Sequence, residues 1–298
     1  MISTQFWPSD LVFTSQQSEI KELTTFKLQI AEAEMAIEFQ GHGSTLDSNG
    51  LGAVLDVLKV GAAELWAVLS VETSCVGFFS DRRPAILFER HIFSRLTDGK
   101  FDSTNPDISN SQPGNYGATG SHQFDRLSNA MALDSNAALQ SASWGIGQTM
   151  GFNFSQTGSS CVEVMVQRMV LSENEQLLCA VGELVAGGSI NALRAQDWTN
   201  FARIYNGENY AINNYDNRLR AAYHGFLMGG TPDLRIRSAQ SYLTYLKFSP
   251  GPIDGIVGNL TRDAMNIFQS QQGLQETTVL DDATLEALQN SVSALPIS

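Results

Sequence analysis

The stretch from Gly61 to Phe93, GAAELWAVLSVETSCVGFFSDRRPAILFERHIF, constrains the chain more than any other. Leu65, Val68, Leu69 and Glu72 fall at i, i+3, i+4 and i+7, so a helix through them carries the Glu72 carboxylate at the end of its own apolar stripe. A carboxyl held among apolar neighbours has its ionised form disfavoured and can stay protonated near neutral pH, ready to act as a general acid. A Glu turned to water at a fraying helix end fits the same spacing, which alone does not choose between the two. Thr73 to Gly77 offers small residues and a glycine for a turn, and Pro84 to Phe93 reads as a strand. Alternation along that strand sets Ile86, Phe88, Arg90 and Ile92 on one face and Leu87, Glu89, His91 and Phe93 on the other, so Glu89 and His91 are expected to share a face.

A helix ending in Glu, a tight turn and an extended segment with further ionisable groups suit cleavage of a glycosidic bond. That reaction takes one protonated carboxyl at the leaving oxygen and a second polar group that stabilises positive charge on the sugar or activates water. Three runs then carry a family resemblance: ELWAVLSVETSCVGFFSDRRPAILFERHIFSRLTDGKFD, SASWGIGQTMGFN at Ser141 to Asn153, and FARIYNGENY at Phe201 to Tyr210. Together they resemble the N-acetylmuramidase domain of phage and prophage endolysins, which has a lysozyme-like fold and cleaves the glycan strands of bacterial peptidoglycan. The resemblance begins near Ile37, in EFQGHGSTL, and implies Glu72 as the general acid. For the second catalytic group it leaves Glu89, on the face of His91, and Asp81, whose separation from Glu72 resembles the Glu and Asp pair of some phage lysozymes; Glu89 is preferred.

The glycines of SASWGIGQTMGFN permit close backbone approach, to a ligand or to a packed helix. The resemblance implies a Ser-x-Gly-x-x-Gln element beside the catalytic Glu, matched by Ser143, Gly145 and Gln148, with Gln148 a candidate sugar contact and Trp144 read as a core residue. It likewise implies that Tyr205 and Asn206 close the glycan cleft, where composition alone reads a helix stop. Tyr116, in the Ser-, Asn-, Gly- and Pro-rich segment from Phe101 to Gln123, is placed near the cleft on the same ground, although Asn115 stands where the family suggests glycine; a surface loop is the alternative. Cys161 to Ala186 is expected to form two helices without catalytic groups. From Asn49 to Lys59 another helix is expected, with Leu51, Val54, Leu55 and Leu58 on one face.

A second domain begins near Thr231. Its sequence, RIRSAQSYLTYLKFSPGPIDGIVGNLTRDAMNIFQSQQGLQETTVLDDATLEAL, resembles the three-helix peptidoglycan-binding module of wall hydrolases. Asp254 and Gly255 are turn chemistry, and Asp281 and Asp282 open the last helix with acids at its positive end. The expected organisation is an N-terminal extension over residues 1–35, a catalytic domain over 36–228 and the binding module over 232–298. The expected fold class is mainly α: a lysozyme-like α+β catalytic domain with a small β element, followed by a three-helix module.

The chain's net charge of −13, with only 18 Lys and Arg in 298 residues, argues against nucleic acid, since phosphate binding takes clustered cations. Peptidoglycan itself carries carboxylates, so sugar hydrogen bonds and aromatic stacking are the expected mode of recognition. Cys75, Cys161 and Cys179 have no metal-ligand spacing and are odd in number, which fits buried thiols. No metal or cofactor is expected. No apolar run reaches the roughly 20 residues of a membrane span, and Met1 to Ser15 lacks a secretory pattern. The expectation is a monomer that acts on peptidoglycan, made in the cytoplasm and reaching the wall with the help of a holin, as the family resemblance implies. A lytic transglycosylase and a non-catalytic wall-binding virion protein are the alternatives.

Overall fold

In the computed structural model, residues 37–73, 75–207, 211, 213–277 and 279–297 are described, without the side chains of Glu72 and Asn206. The extension over residues 1–35 lies outside them. The contacts divide the chain after Glu38, and Phe39–Ser298 forms one compact unit.

Asp47 caps helix α1 (Ser48–Leu58) by accepting a hydrogen bond from the Gly50 N–H at 2.8 Å, and Lys59, at φ 55°, ends it. Such a cap contributes about 1 kcal/mol. Helix α2 (Ala62–Glu72) follows, with Gly61 before it. Leu65 and Leu69 pack with Leu46, Val54, Leu58, Leu177 and Val181, while Ala63, Ala67 and Val68 pack with Leu184, Leu193, Trp198, Phe201, Leu219 and Tyr223. The stripe through Leu65, Val68 and Leu69 is therefore only part of the buried surface. Trp66 and Ala67 are fully buried as well, so from Leu65 to Leu69 the helix is enclosed on every side, while Glu64 and Ser70 reach solvent. Glu72 is its last residue, where the enclosing core ends.

The strand expected from Pro84 to Phe93 is shorter. Strand β1 is Ile86–Phe88, and Glu89 then precedes helix α3 (Arg90–Leu96). Ile92, Phe93 and Leu96 also fit a helical stripe, and burial of Ile92 and Phe93 against the core decides for the helix. After α4 (Gln123–Met131) and α5 (Ser135–Gln140) come β2 (Ala142–Trp144) and β3 (Thr149–Met150), which complete an antiparallel sheet in the order β1-β2-β3. Leu87 pairs with Ser143, and Ser143 with Met150. Helices α6 (Val162–Leu171) and α7 (Glu173–Ala186) match the two expected between Cys161 and Ala186. The short α8 (Ile190–Arg194), α9 (Trp198–Asn206) and α10 (Tyr215–Gly229) close the core around α2.

The C-terminal module has three helices, α11 (Leu234–Tyr245), α12 (Asn259–Gln271) and α13 (Asp282–Ser293), around Ala239, Leu243, Ala264, Met265, Phe268 and Leu288. Asp254 braces its own turn, accepting from Ile256 N–H at 2.9 Å and from Gln240 Nε2 at 3.0 Å. The module packs directly on the rest of the unit: Phe78 is buried with Tyr245 and Val292, and Thr45 Oγ1 lies 2.7 Å from Ser238 Oγ. Among the described residues no helix is long and apolar enough to cross a membrane.

Candidate active site

The end of α2 opens on a cavity of about 440 Å³ lined by Ser70, Val71, Thr73, Phe79, Ala85, Ile86, Leu87, Thr119, Gly120, Gln123, Gln148 and Arg218. Ser70, Val71 and Thr73 come from the two sides of Glu72 in sequence, so that residue's backbone stands at the cavity's edge. Thr73 Oγ1 donates to the Leu69 carbonyl at 2.8 Å and accepts from Cys75 N–H at 3.0 Å, turning the chain sharply out of the helix. Burial is the largest influence on the Cys75 thiol and raises its pKa, with Arg237 opposing, so this thiol is not an activated nucleophile.

Gln148 reaches the cavity from the turn between β2 and β3, in the left-handed region at φ 50°. Its Oε1 accepts from Ser143 Oγ at 2.7 Å, and its Nε2 donates to the carbonyls of Gly145 at 2.9 Å and Ala85 at 3.2 Å. Both amide hydrogens are thereby engaged with protein, leaving only lone-pair capacity on Oε1 for a sugar donor. Trp144, fully buried, donates to the Leu139 carbonyl at 3.1 Å and is a core residue, as expected. Tyr205 stacks on Phe201, with ring centroids 5.6 Å apart, and lines a small apolar recess with Leu65, Val68, Leu69 and Thr73 behind the end of α2. The side chain of Asn206 lies outside the described residues.

Glu89, His91 and Tyr116 form a cluster beyond β1. Glu89 follows the cavity-lining Leu87 by two residues of extended backbone, and Tyr116 belongs to the segment whose Thr119 and Gly120 line the same cavity. His91 Nδ1 lies 3.1 Å from Glu89 Oε2, so the contact predicted from a shared strand face exists, although a helix start supplies it. Both atoms are buried and the approach is not aligned as a hydrogen bond. Burial pushes the Glu89 carboxyl above its ordinary range, and His91 and a hydrogen bond from Tyr116 pull it only partly back. The Tyr116 hydroxyl is raised in turn by burial and by the Glu89 charge.

Asp81 has other partners. Its oxygens accept from Arg83 N–H at 3.1 Å, Arg83 Nε at 2.9 Å and Ser121 Oγ at 2.7 Å, with Arg83 Nη2 at 2.8 Å. Burial alone would raise its pKa, but these donors outweigh burial and hold it below the ordinary value. Neither Asp81 nor Glu89 is among the residues lining the cavity, so it is their partners and not their distance from it that separates them.

Two groups at the site were not predicted from sequence. Arg218 of α10 lines the cavity and donates to the Val71 carbonyl at 3.0 Å. Glu183 of α7 sits under β3, accepts from Asn153 Nδ2 at 2.6 Å and is raised by burial. Among the described residues no group of three or more His, Cys, Asp and Glu is placed to hold a metal ion.

The family model described as N-acetylmuramidase matches residues 61–227, and one described as "Putative peptidoglycan binding domain" matches residues 233–288. Among solved structures, the crystal structure of Burkholderia AP3 phage endolysin is similar at 36% identity with a TM-score of 0.56, over 62% of this chain and 72% of that one. No curated protein matches the chain.

Proposed function

Since the chain belongs to the N-acetylmuramidase family, a family of peptidoglycan glycosidases, we propose that it is an endolysin that hydrolyses the β-1,4 bond between N-acetylmuramic acid and N-acetylglucosamine. The observation that carries this reading is the placement of Glu72 at the end of a helix whose middle, Leu65 to Leu69, is buried, on the edge of a cleft of about 440 Å³, inside the matched region. Glu72 protonates the leaving glycosidic oxygen. Glu89, ionised above its raised pKa, acts as the second carboxylate and is oriented by His91 and Tyr116. Ser143 holds the amide of Gln148 so that Oε1 faces the sugar, and Tyr205 packs behind the end of α2. The C-terminal module binds peptidoglycan, and host-cell lysis follows from loss of glycan continuity.

Mass spectrometry of fragments released from purified peptidoglycan tests the reaction. The expected fragments end in reducing N-acetylmuramic acid and are lost in Glu72→Gln, with a drop in turnover of roughly 10²- to 10⁴-fold. Anhydro ends, lighter by one water, would make the enzyme a lytic transglycosylase. Full activity of a folded Glu72→Gln protein would remove Glu72 from the mechanism.

A further inference from the structure

The turn that leaves Glu72 is gripped from behind by a residue of the C-terminal module. Glu173, at the first position of α7, and Arg237 of α11 form an ion pair in which the side chains are 2% and 1% exposed. Oε2 of Glu173 accepts from Leu46 N–H at 2.8 Å and from Arg237 Nη1 at 3.0 Å; Oε1 accepts from Gly77 N–H at 2.9 Å and from Arg237 Nη2 at 3.2 Å. Nη2 also donates to the carbonyl of Cys75. Cys75 sits at φ 57°, a conformation that a residue with a Cβ adopts at a cost and keeps only where its surroundings hold it there.

One turn further along α7, Gln176 joins this hub to the other wall of the cleft. Its Oε1 accepts from Ile146 N–H at 2.8 Å, in the turn that carries Gln148, and its Nε2 donates to the Gly77 carbonyl at 3.1 Å. A Cβ on Gly77 would stand 2.2 Å from that side chain, and one on Gly145 2.7 Å, so both glycines are required by the close fit. The module holds the rest of the turn as well: Phe78 packs on Tyr245, Lys247 Nζ donates to the Ser80 carbonyl at 3.2 Å, and Arg82 donates to the Pro296 carbonyl.

A buried ion pair adds little net stability, because desolvation offsets its attraction; what it supplies is a fixed geometry. Here the fixed elements are the chain just beyond Glu72 and, through Gln176, the hairpin bearing Ser143 and Gln148. We propose that the Arg237–Glu173 pair is a positioning device for the glycosidase reaction, so that the wall-binding module completes the catalytic cleft by holding the turn that follows Glu72. This rests on the reading of Glu72 as the general acid.

The test measures kcat and KM separately on a soluble glycan oligosaccharide, which removes adhesion to insoluble wall from the measurement, together with the melting temperature of the full chain. Arg237→Met is expected to lower kcat at least about 10-fold with KM within about twofold, the size of effect that a small misplacement produces. Because it leaves Glu173 buried and unpaired, it also lowers the melting temperature. The double variant Arg237→Met/Glu173→Gln removes both charges and is expected to regain most of the melting temperature while kcat stays low. A double variant that returns to wild-type kcat along with its stability would overturn the positioning role and leave the pair purely structural. A wild type with no turnover on the oligosaccharide would overturn the muramidase reading itself, and the positioning role with it.

Discussion

Asp81 and Glu89 flank β1, and both follow Glu72 within a short stretch of sequence, yet the fold surrounds them in opposite ways. Asp81 meets a guanidinium, a backbone N–H and a hydroxyl, which together overcome burial and hold its pKa down. Glu89 meets an imidazole and a phenol, too few donors to overcome burial, and its pKa stays up. The difference is one of unmet capacity. A carboxylate whose lone pairs are taken by its own scaffold is a brace, whereas one held by burial against titratable neighbours retains oxygens for a substrate or a water.

The largest test of this contrast is Glu89→Gln. If Glu89 stabilises charge in the transition state or activates water, the substitution lowers kcat about 10²-fold or more, while Asp81→Asn stays within about threefold of wild type. Equal losses in the two variants would break the contrast, and the reverse pattern would move the second catalytic role to Asp81.

Asp81→Asn should show its effect in stability. Its loss of charge-assisted hydrogen bonds to Arg83 is expected to destabilise the fold by about 1–2 kcal/mol at pH 7, read as a fall of a few degrees in melting temperature. Because the folded pKa of Asp81 lies below its ordinary 3.8, the stabilisation is present above that value and is lost as pH falls through the folded pKa. The gap between wild type and Asp81→Asn should therefore close in acid. A gap that persists unchanged into acid would show that shape, not charge, is what Asp81 contributes.

The parts of this arrangement written in local periodicity were legible in the sequence. Helix α1 follows from apolar spacing and the last two helices of the module from their turn residues and caps, whereas the three-helix plan of the module follows from the family resemblance; Trp144 is readable as core. Pro84 to Phe93 was read as one strand because its apolar residues satisfy a period of two and a helical period at once, and only tertiary burial of Ile92 and Phe93 separates them. The contact between Glu89 and His91 was anticipated through the wrong local structure. The Arg237–Glu173 pair could not be read at all, since its members are separated by 64 positions and nothing in the local pattern of either marks it for the other. A buried Glu at the start of a helix looks in sequence like an ordinary acid at the positive end of a dipole.

The smallest expected effect is also the sharpest probe of Glu89. Tyr116 donates a hydrogen bond that favours the ionised form of Glu89 and so lowers its pKa against the larger effect of burial. Tyr116→Phe removes the hydroxyl and little else, so the Glu89 pKa should rise further. If ionised Glu89 is required, its titration sets the acidic limb of the profile of kcat/KM against pH. That limb should move upward, with activity at the optimum reduced only about two- to threefold. The basic limb, set by the general acid, should stay in place. A shift of the basic limb alone would mean that Glu89, and not Glu72, carries the catalytic proton; a profile unmoved on both sides would detach the Tyr116 and Glu89 cluster from the chemistry and leave it a feature of the cleft wall.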